Sequence, residues 1–442
     1  MPQITPFAAV RYNLDHVRSL SDVIAPPYDV IDPQLQDQLY KQHPANVVRI
    51  ILNRTEPGDH EDEKYQRAAD FLTQWLQQGV LQRDDRPALY VYHQTFQVDG
   101  QTVNRRGFMA RARIQPFGEG NVYPHEETHP KAKVDRLNLT IATKQNNSQI
   151  FGLYPDPHNE VISLLDQATK GIDPVQATDH LEVVHRLWPV TDAAVTQRAC
   201  ELMVDKPMFV ADGHHRYETA SNYRQQLIDA SGPLPEEHPA NFVMTMLVGM
   251  SDPGMIVLPT HRLIRGPQPL SSDQIIEKLS STFDCAKLPG IESANQAWAE
   301  MEEANQQSWI ALFAAVDQTW VMAKATDSAY QRIQTLAPQQ SDDWRGLGVS
   351  LLHRLVIDDL LGWEGHPKPT YVHQVDEVIA ALKGEGSQAE SDGSEPYSLA
   401  ALVMPATLAH VEAISLHKER MPAKSTYFYP KLLSGLTFNP LT

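Results

Sequence analysis

The tightest constraint on the fold is a pair of alternating runs in "ALYVYHQTFQVDGQTVNRRGFMARARIQ", residues 88–115. In a strand, successive side chains point to opposite faces, so this period of two reads as two strands with one face buried. Asp99-Gly100 lies between them, and Asp-Gly supplies the positive φ that a two-residue hairpin turn needs. A hairpin alone is marginal in water, so the chain must build more strands or helices against it. Similar pairs flank Asp317-Gln318 in "WIALFAAVDQTWVMAKA" and Asp252-Pro253-Gly254 in "NFVMTMLVGMSDPGMIVLPTHRLI", and both read as hairpins.

Helical spacing appears between these pairs. "EDEKYQRAADFLTQWLQQGVL" sets Tyr65, Ala68, Leu72, Trp75, Leu76 and Val80 on one face, with acids at the start, where they suit the helix dipole. "DWRGLGVSLLHRLVIDDLLG" aligns Trp344, Leu347, Leu351, Leu355 and Asp359, so its stripe fades at the last position. The expected class is α+β, with mixed sheets, hairpins and flanking helices. At 442 residues the chain exceeds one core. It divides into an N-terminal α+β segment, 1–185, a middle segment, 186–270, and a C-terminal α+β region, 271–442. In the last, "KGEGSQAESDGSEPYS" at 383–398 is acidic and low in complexity and reads as a flexible surface loop.

Composition narrows the function. No run approaches the roughly 18–20 apolar residues of a membrane span. The first twenty residues lack the charged start and apolar core of a secretory signal. Two cysteines, Cys200 and Cys285, make neither a disulfide framework nor a zinc site, so a cytoplasmic setting is expected. The formal charge is −18, with 55 acids against 37 bases, which argues against a broad nucleic-acid surface.

The segment richest in chemistry is "KPMFVADGHHRYETASNYR", 206–224. Met208 to Ala211 read as a short buried strand and Gly213 as a tight turn. Tyr217, Ala220, Tyr223 and Leu227 then keep helical spacing. His214, His215 and Arg216 therefore fall in a helix's first turn, where unpaired N–H groups and the dipole favour an anion. The forked donors of Arg216 match a phosphate. Asp212 would hold a Mg²⁺ or accept a proton. Asp212 as a helix cap beside exposed His and Arg residues is the alternative.

Other polar stretches allow two readings each. In "APPYDVI", two prolines fix an extended path before Asp29, either a base or metal ligand or a carboxylate satisfying a turn. "YPHEETHPKAKVDR" fits a loose His-Glu-x-x-His pattern, but Pro130 ends any helix after His129 and no apolar face accompanies it, which argues against zinc hydrolysis. It reads as an active-site loop with Glu126 or Glu127 for acid–base help and Lys133 or Arg136 for phosphate, or as a solvated loop. His261 and Arg262 in "LPTHRLI" are a second anion contact or a strand-end surface pair. "MPAKSTYFYPKLLSGL" offers Lys424 for phosphate and Tyr427 or Phe428 for stacking, or is a tail packed by its aromatics. No Gly-x-x-x-x-Gly-Lys-Ser/Thr loop and no Gly-x-Ser-x-Gly elbow occurs. Cys200 ends a polar helix read as exposed, so thiol chemistry has little support.

Five of these motifs in order, "APPYDVI", "PHEETHPKAKVDRL", "ADGHHRYETA", "LPTHRL" and "MPAKSTYFYPK", resemble the bacterial and archaeal domain of unknown function 1015 family across nearly the whole chain. The family name implies no reaction. The short box from Asp212 to Arg216 also resembles the phosphate-binding box of the ParB/sulfiredoxin superfamily, whose free serine kinases carry Asp-Gly-His-x-Arg. This second resemblance implies a strand-turn-helix phosphate-binding unit in 186–270 and nucleotide binding. Together with the residues, it gives the expectation of a phosphotransferase using ATP or ADP with Mg²⁺ on a small hydroxylated metabolite, free serine included. Arg216 and the N–H groups after Gly213 would hold phosphate, and His214 or His215 would bond phosphate or substrate. Asp29, Glu126 or Glu127 would take the hydroxyl proton. Two alternatives are a nucleotide-binding regulator without transfer and a phosphoester hydrolase.

Overall fold

The computed structural model describes residues 3–98, 100–117, 119–126, 130–385 and 396–442. Glu127 and the acidic stretch 386–395 therefore lie outside the described residues, as does Asp99. The protein is α+β, and its chain divides into two compact units. One comprises Met1–Pro124, Thr128–Ile256 and Pro430–Thr442, the other His125–Glu127 and Val257–Tyr429.

The first unit is built on a nine-stranded mixed sheet. Its order is Val122–Pro124, Met208–Asp212, Ile150–Tyr154, Phe242–Gly249, Gln101–Arg113, Leu89–Val98, Val184–Val190 and Val175–Thr178, with Ile4–Thr5 also pairing with Gln101–Arg113. The hairpin expected around Asp99-Gly100 forms, with Val98 opposite Gln101. One expected partner differs. Phe242–Gly249 does not return as a hairpin through Asp252-Pro253-Gly254, because Gln101–Arg113 and Ile150–Tyr154 already occupy both its edges. All eight of its residues are buried, the pattern of a strand covered on both faces. The chain leaves this unit after Ile256 instead.

Helix Glu63–Gln77 buries Tyr65, Ala68, Leu72 and Trp75 as the spacing requires. Leu76, expected on the same stripe, is exposed instead. Helices Pro130–Thr143 and His214–Ser231 pack together in the same unit.

The second unit has a six-stranded sheet, Phe283–Pro289, Thr319–Ala325, Trp309–Ala314, Leu399–Val403, His261–Ile264 and Thr370–Val372, in that order. The hairpin around Asp317-Gln318 forms, with Ala314 opposite Thr319. Trp344, Leu347, Leu351 and Leu355 are buried as expected, but Trp344 is on a short helix Asp342–Arg345, Leu347 caps a second, Gly348–Ser350, and Leu351 and Leu355 are on a wider π-helical segment, Leu351–Leu360.

Candidate functional site

Met208–Asp212 runs buried between its two neighbours, parallel to Val122–Pro124 and antiparallel to Ile150–Tyr154. The register against Ile150–Tyr154 shifts between Val210 and Asp212, a bulge that re-aims the last side chain. Gly213 follows at φ +91°, where a β-carbon is disfavoured, and one built there would meet the Arg216 guanidinium at 3.0 Å. Helix His214–Ser231 begins at once. Its cap is Gly213 and no side chain caps it, so Asp212 is not serving as a helix cap. The Tyr217 hydroxyl, hydrogen-bonded to both N–H and C=O of Gln115 at 2.8 Å, pins the first turn in place.

The charges at this corner are internally paired. Arg216 Nη2 donates to Asp212 Oδ2 at 2.6 Å, and Arg216 Nη1 donates to the Gln149 carbonyl. Lys431 Nζ donates to Asp212 Oδ1 at 2.8 Å. Both carboxylate oxygens thus face cations, and a bound Mg²⁺ does not fit Asp212 in this arrangement. Among the described residues no group of three or more His, Cys, Asp or Glu is arranged to hold a metal ion. His214 is buried and His215 half-buried.

A cavity of about 40 Å³ lies beside this corner, along the helix flank. Arg216, Thr219 and Ala220 line it from one helix and Arg136, Leu139 and Thr140 from the other, each trio at the i, i+3, i+4 spacing of a single face. Tyr28 and the Asn146–Ser148 loop contribute further walls. Two buried atoms on this lining lack hydrogen-bond partners among the described residues, Asn147 Oδ1 and Thr219 Oγ1. A buried polar atom without a partner costs stability unless water or a ligand satisfies it.

Three separated motifs meet here. The Arg136 guanidinium lies 4.0 Å above the Tyr28 ring of "APPYDVI" and donates to the Ile51 carbonyl at 2.6 Å. Burial, and then the Asp29 charge, raise the Tyr28 phenol, while Arg136 and Arg216 pull it back. Asp29 is exposed and makes no ion pair among the described residues. Lys133 is spent on Glu218 of the facing helix at 2.9 Å. Lys133 and Arg136 sit on a helix starting at Pro130, so the expected loop position for them is corrected: proline at a helix start is tolerated. Asp135, the Arg136 partner, is held down to about 2: burial raises its carboxyl, but Arg136, Lys64 and Tyr65 outweigh that.

The remaining expected residues belong to the second unit. His261 is fully buried edge-on against Trp298, and burial, then the Arg262 charge, lower its imidazole to about 3. That neutral ring is a core group rather than a phosphate contact, which corrects the expectation. Arg262, on the opposite strand face, is buried as well, so the strand-end surface pair is excluded. Its Nη2 donates to the Lys424 carbonyl at 2.8 Å. Glu126 bridges to Met421, and His125 Nε2 lies 2.9 Å from Thr426 Oγ1. The polar segments therefore divide. Asp29, Lys133, Arg136 and Asp212 to Arg216 lie in the first unit; Glu126, His261, Arg262 and Lys424 lie in the second.

Sequence reasoning noted Lys431 among the aromatics of the last motif without giving it a role, and left out Arg105 and Gln94: Arg105 Nε donates to Gln94 Oε1 at 3.1 Å, Arg105 Nη2 donates to the Pro430 carbonyl, and Gln94 Nε2 donates to the Lys431 carbonyl at 3.0 Å. This fully buried pair fixes the backbone that carries Lys431 over Asp212. A charged residue at an inward position of an alternating strand was the available signal. Cys200 is half-buried with its thiol pushed up to about 11, chiefly by burial, so its expected exposure is corrected and it remains a poor nucleophile.

The chain belongs to the family described as protein of unknown function DUF1015, whose model matches residues 4–350. No curated protein matches it in sequence. Among solved structures, it is similar to a mutant free serine kinase in complex with ADP, with 11% identity, 70% of this chain and 84% of that chain covered, and a TM-score of 0.34. It is similar to a conserved hypothetical protein from Pyrococcus furiosus, with 13% identity, 71% and 89% covered, and a TM-score of 0.32. A third is SbnI with C-terminal truncation from Staphylococcus aureus, with 9% identity, 75% and 87% covered, and a TM-score of 0.33. Likenesses this weak carry no part of the functional reading below. Among the described residues no helix is long and apolar enough to cross a membrane.

Proposed function

We propose that this DUF1015 chain binds a nucleotide phosphate at the Gly213 corner and transfers a phosphoryl group to a small hydroxylated metabolite, free serine being one candidate. The observation that carries the reading is the cavity lining: the Arg136 and Arg216 guanidinium groups beside two unsatisfied buried oxygens, Asn147 Oδ1 and Thr219 Oγ1. Guanidinium forks match oxyanions, and an unsatisfied amide oxygen accepts from a hydroxyl. A ligand bearing both an oxyanion and a hydroxyl satisfies the whole set. About 40 Å³ is too small for a nucleoside, so the rest of the nucleotide extends beyond this cavity.

The transfer breaks the bond between the terminal phosphorus and its bridging oxygen and forms one to the acceptor oxygen. The hydroxyl proton goes to a carboxylate, and ADP or AMP leaves. Asp212 is tied between Lys431 and Arg216, which leaves Asp29, exposed beside Tyr28, as the base in this unit. His214 and His215 stand in the helix's first turn, the expected place for a bond to phosphate. ATP or ADP enters as its Mg²⁺ complex, so the ion arrives with the substrate. Positioning and neutralisation of charge supply most of the catalysis in such transfers.

A regulator that binds the same phosphates without transfer is the second reading, favoured by the closed pairing around Asp212. Calorimetry with ATP, ADP and AMP tests binding. Arg216→Ala should lose at least about tenfold in affinity with an unchanged circular dichroism spectrum, and unchanged affinity overturns both readings. Phosphorus NMR with a pool of hydroxy amino acids then separates them: a new phosphate ester marks transfer, binding without turnover marks the regulator, and phosphate release without an acceptor marks a hydrolase.

A further inference from the structure

The second unit holds a buried cation, Arg262, whose guanidinium lies 5.7 Å over the Tyr371 ring and has no carboxylate in contact among the described residues. Arg262 is 1% exposed. Its Nε donates to His353 Nε2 at 3.2 Å, its Nη1 to the Thr260 carbonyl and its Nη2 to the Lys424 carbonyl at 2.8 Å. A guanidinium has five N–H donors, so two stay uncommitted. Among the described residues no carboxylate lies within ion-pair distance of it. His261 and His353 beside it are neutral, and Glu126 reaches it only through space. Burying an unneutralised charge is costly, so its retention calls for a reason.

What Arg262 holds supplies one. Lys424 is exposed at the tip of a turn and adopts φ +59°, a left-handed conformation that a lysine rarely takes. The turn is tethered at several points. Met421 N–H donates to the His125 carbonyl at 2.8 Å, Ser425 Oγ to the Pro422 carbonyl at 2.5 Å, and His125 and Thr426 are hydrogen-bonded. Trp344 Nε1 donates to the Arg420 carbonyl at 2.9 Å just before the turn. The Lys424 ammonium makes no ion pair among the described residues. Tyr371, half-buried, feels Arg262, Lys424 and Glu126 together, so the phenol shares this surface. Strain of this kind persists only where the surroundings over-determine it, and it gathers at ligand clamps. Among the described residues, with His261 and His353 neutral, Arg262 and Lys424 face the one carboxylate Glu126.

We propose that the Pro422–Ser425 turn of the second unit is a phosphate-binding element, in which Lys424 contacts a phosphate oxygen and Arg262 is the positioning residue beneath it. The ligand is a phosphate monoester or the terminal phosphate of a nucleotide. This proposal stands apart from the first-unit reading, and its test removes that site first.

Inorganic phosphate and AMP are titrated by calorimetry into Arg216→Ala and into Arg216→Ala with Lys424→Gly. Phosphate should bind the first variant and bind the second at least about tenfold more weakly. The melting temperature should hold or rise with Lys424→Gly, because glycine takes positive φ without strain. A gain in stability with a loss of binding is what a merely structural lysine would not produce. Arg262→Gln should lose the same factor, with Lys424→Gly then adding nothing. Where Arg216→Ala fails to fold, wild type and Lys424→Gly are compared, and the bound phosphate should fall by one per chain. Full affinity in Lys424→Gly, no binding in a folded Arg216→Ala, or equal binding of acetate overturns the proposal. AMP binding more tightly than phosphate identifies a nucleotide; equal affinity identifies the phosphate group alone as what is read.

Discussion

In the first unit Arg216 and Lys431 share the two oxygens of Asp212, and Arg136 leans on Asp135. In the second, Arg262 is buried against two carbonyls and an imidazole, and Lys424 stands above it with no acid in contact among the described residues. The same residue types thus meet opposite electrostatic conditions. A ligand entering the first cluster must compete with Asp212 for its cations. A ligand meeting the second, as proposed above, would supply a counter-charge that the described residues in contact do not.

The largest effect that would sharpen this contrast is expected at Asp212. Asp212→Asn leaves two cations half-buried without their acid and should cost about 2–3 kcal/mol in urea unfolding, less than the roughly 3–5 of a fully buried pair. Added phosphate should restore part of that loss, since it replaces the missing charge. A cost below about 0.5 kcal/mol would erase the distinction between the clusters. Gly213→Ala should cost about 1–2 kcal/mol, because alanine is strained at φ +91° and its β-carbon presses on Arg216. The smallest effect concerns acid. The folded Asp135 carboxyl sits at about 2, below the ordinary value near 3.9, so its contribution is present above pH ~4 and fades as pH falls toward 2. Asp135→Asn should lower the melting temperature at pH 7 and leave it nearly unchanged at pH 2. An equal loss at both would show that packing, not charge, is at stake.

Much of the architecture was legible from local pattern. The Asp99-Gly100 and Asp317-Gln318 hairpins and the Glu63–Gln77 helix follow from alternation, turn chemistry and spacing. The strand, glycine turn and helix around Gly213 follow likewise, since a buried run, a positive φ and a 3.6-residue period are each written in neighbouring residues. The Asp252-Pro253-Gly254 segment was misread for a definite reason. A turn signal says that the chain bends, and says nothing about whether the strand before it still has a free edge. Arg105 and Gln94 were missed because their partner, the backbone at Pro430 and Lys431, lies more than 300 residues along the chain.

The two motifs that straddle the division are the most instructive. "PHEETHPKAKVDR" gives His125 and Glu126 to one unit and Lys133 and Arg136 to the other, and "MPAKSTYFYPK" separates Lys424 from Lys431 in the same way. Sequence alone determined which chemical groups this protein brings to bear and the secondary structure of most of them, because propensity and periodicity are properties of adjacent residues. Tertiary structure alone decided which cation meets an acid and which, among the described residues, has none in contact. That outcome depends on contacts between distant segments and on the exclusion of water around them, and no local run of residues encodes either.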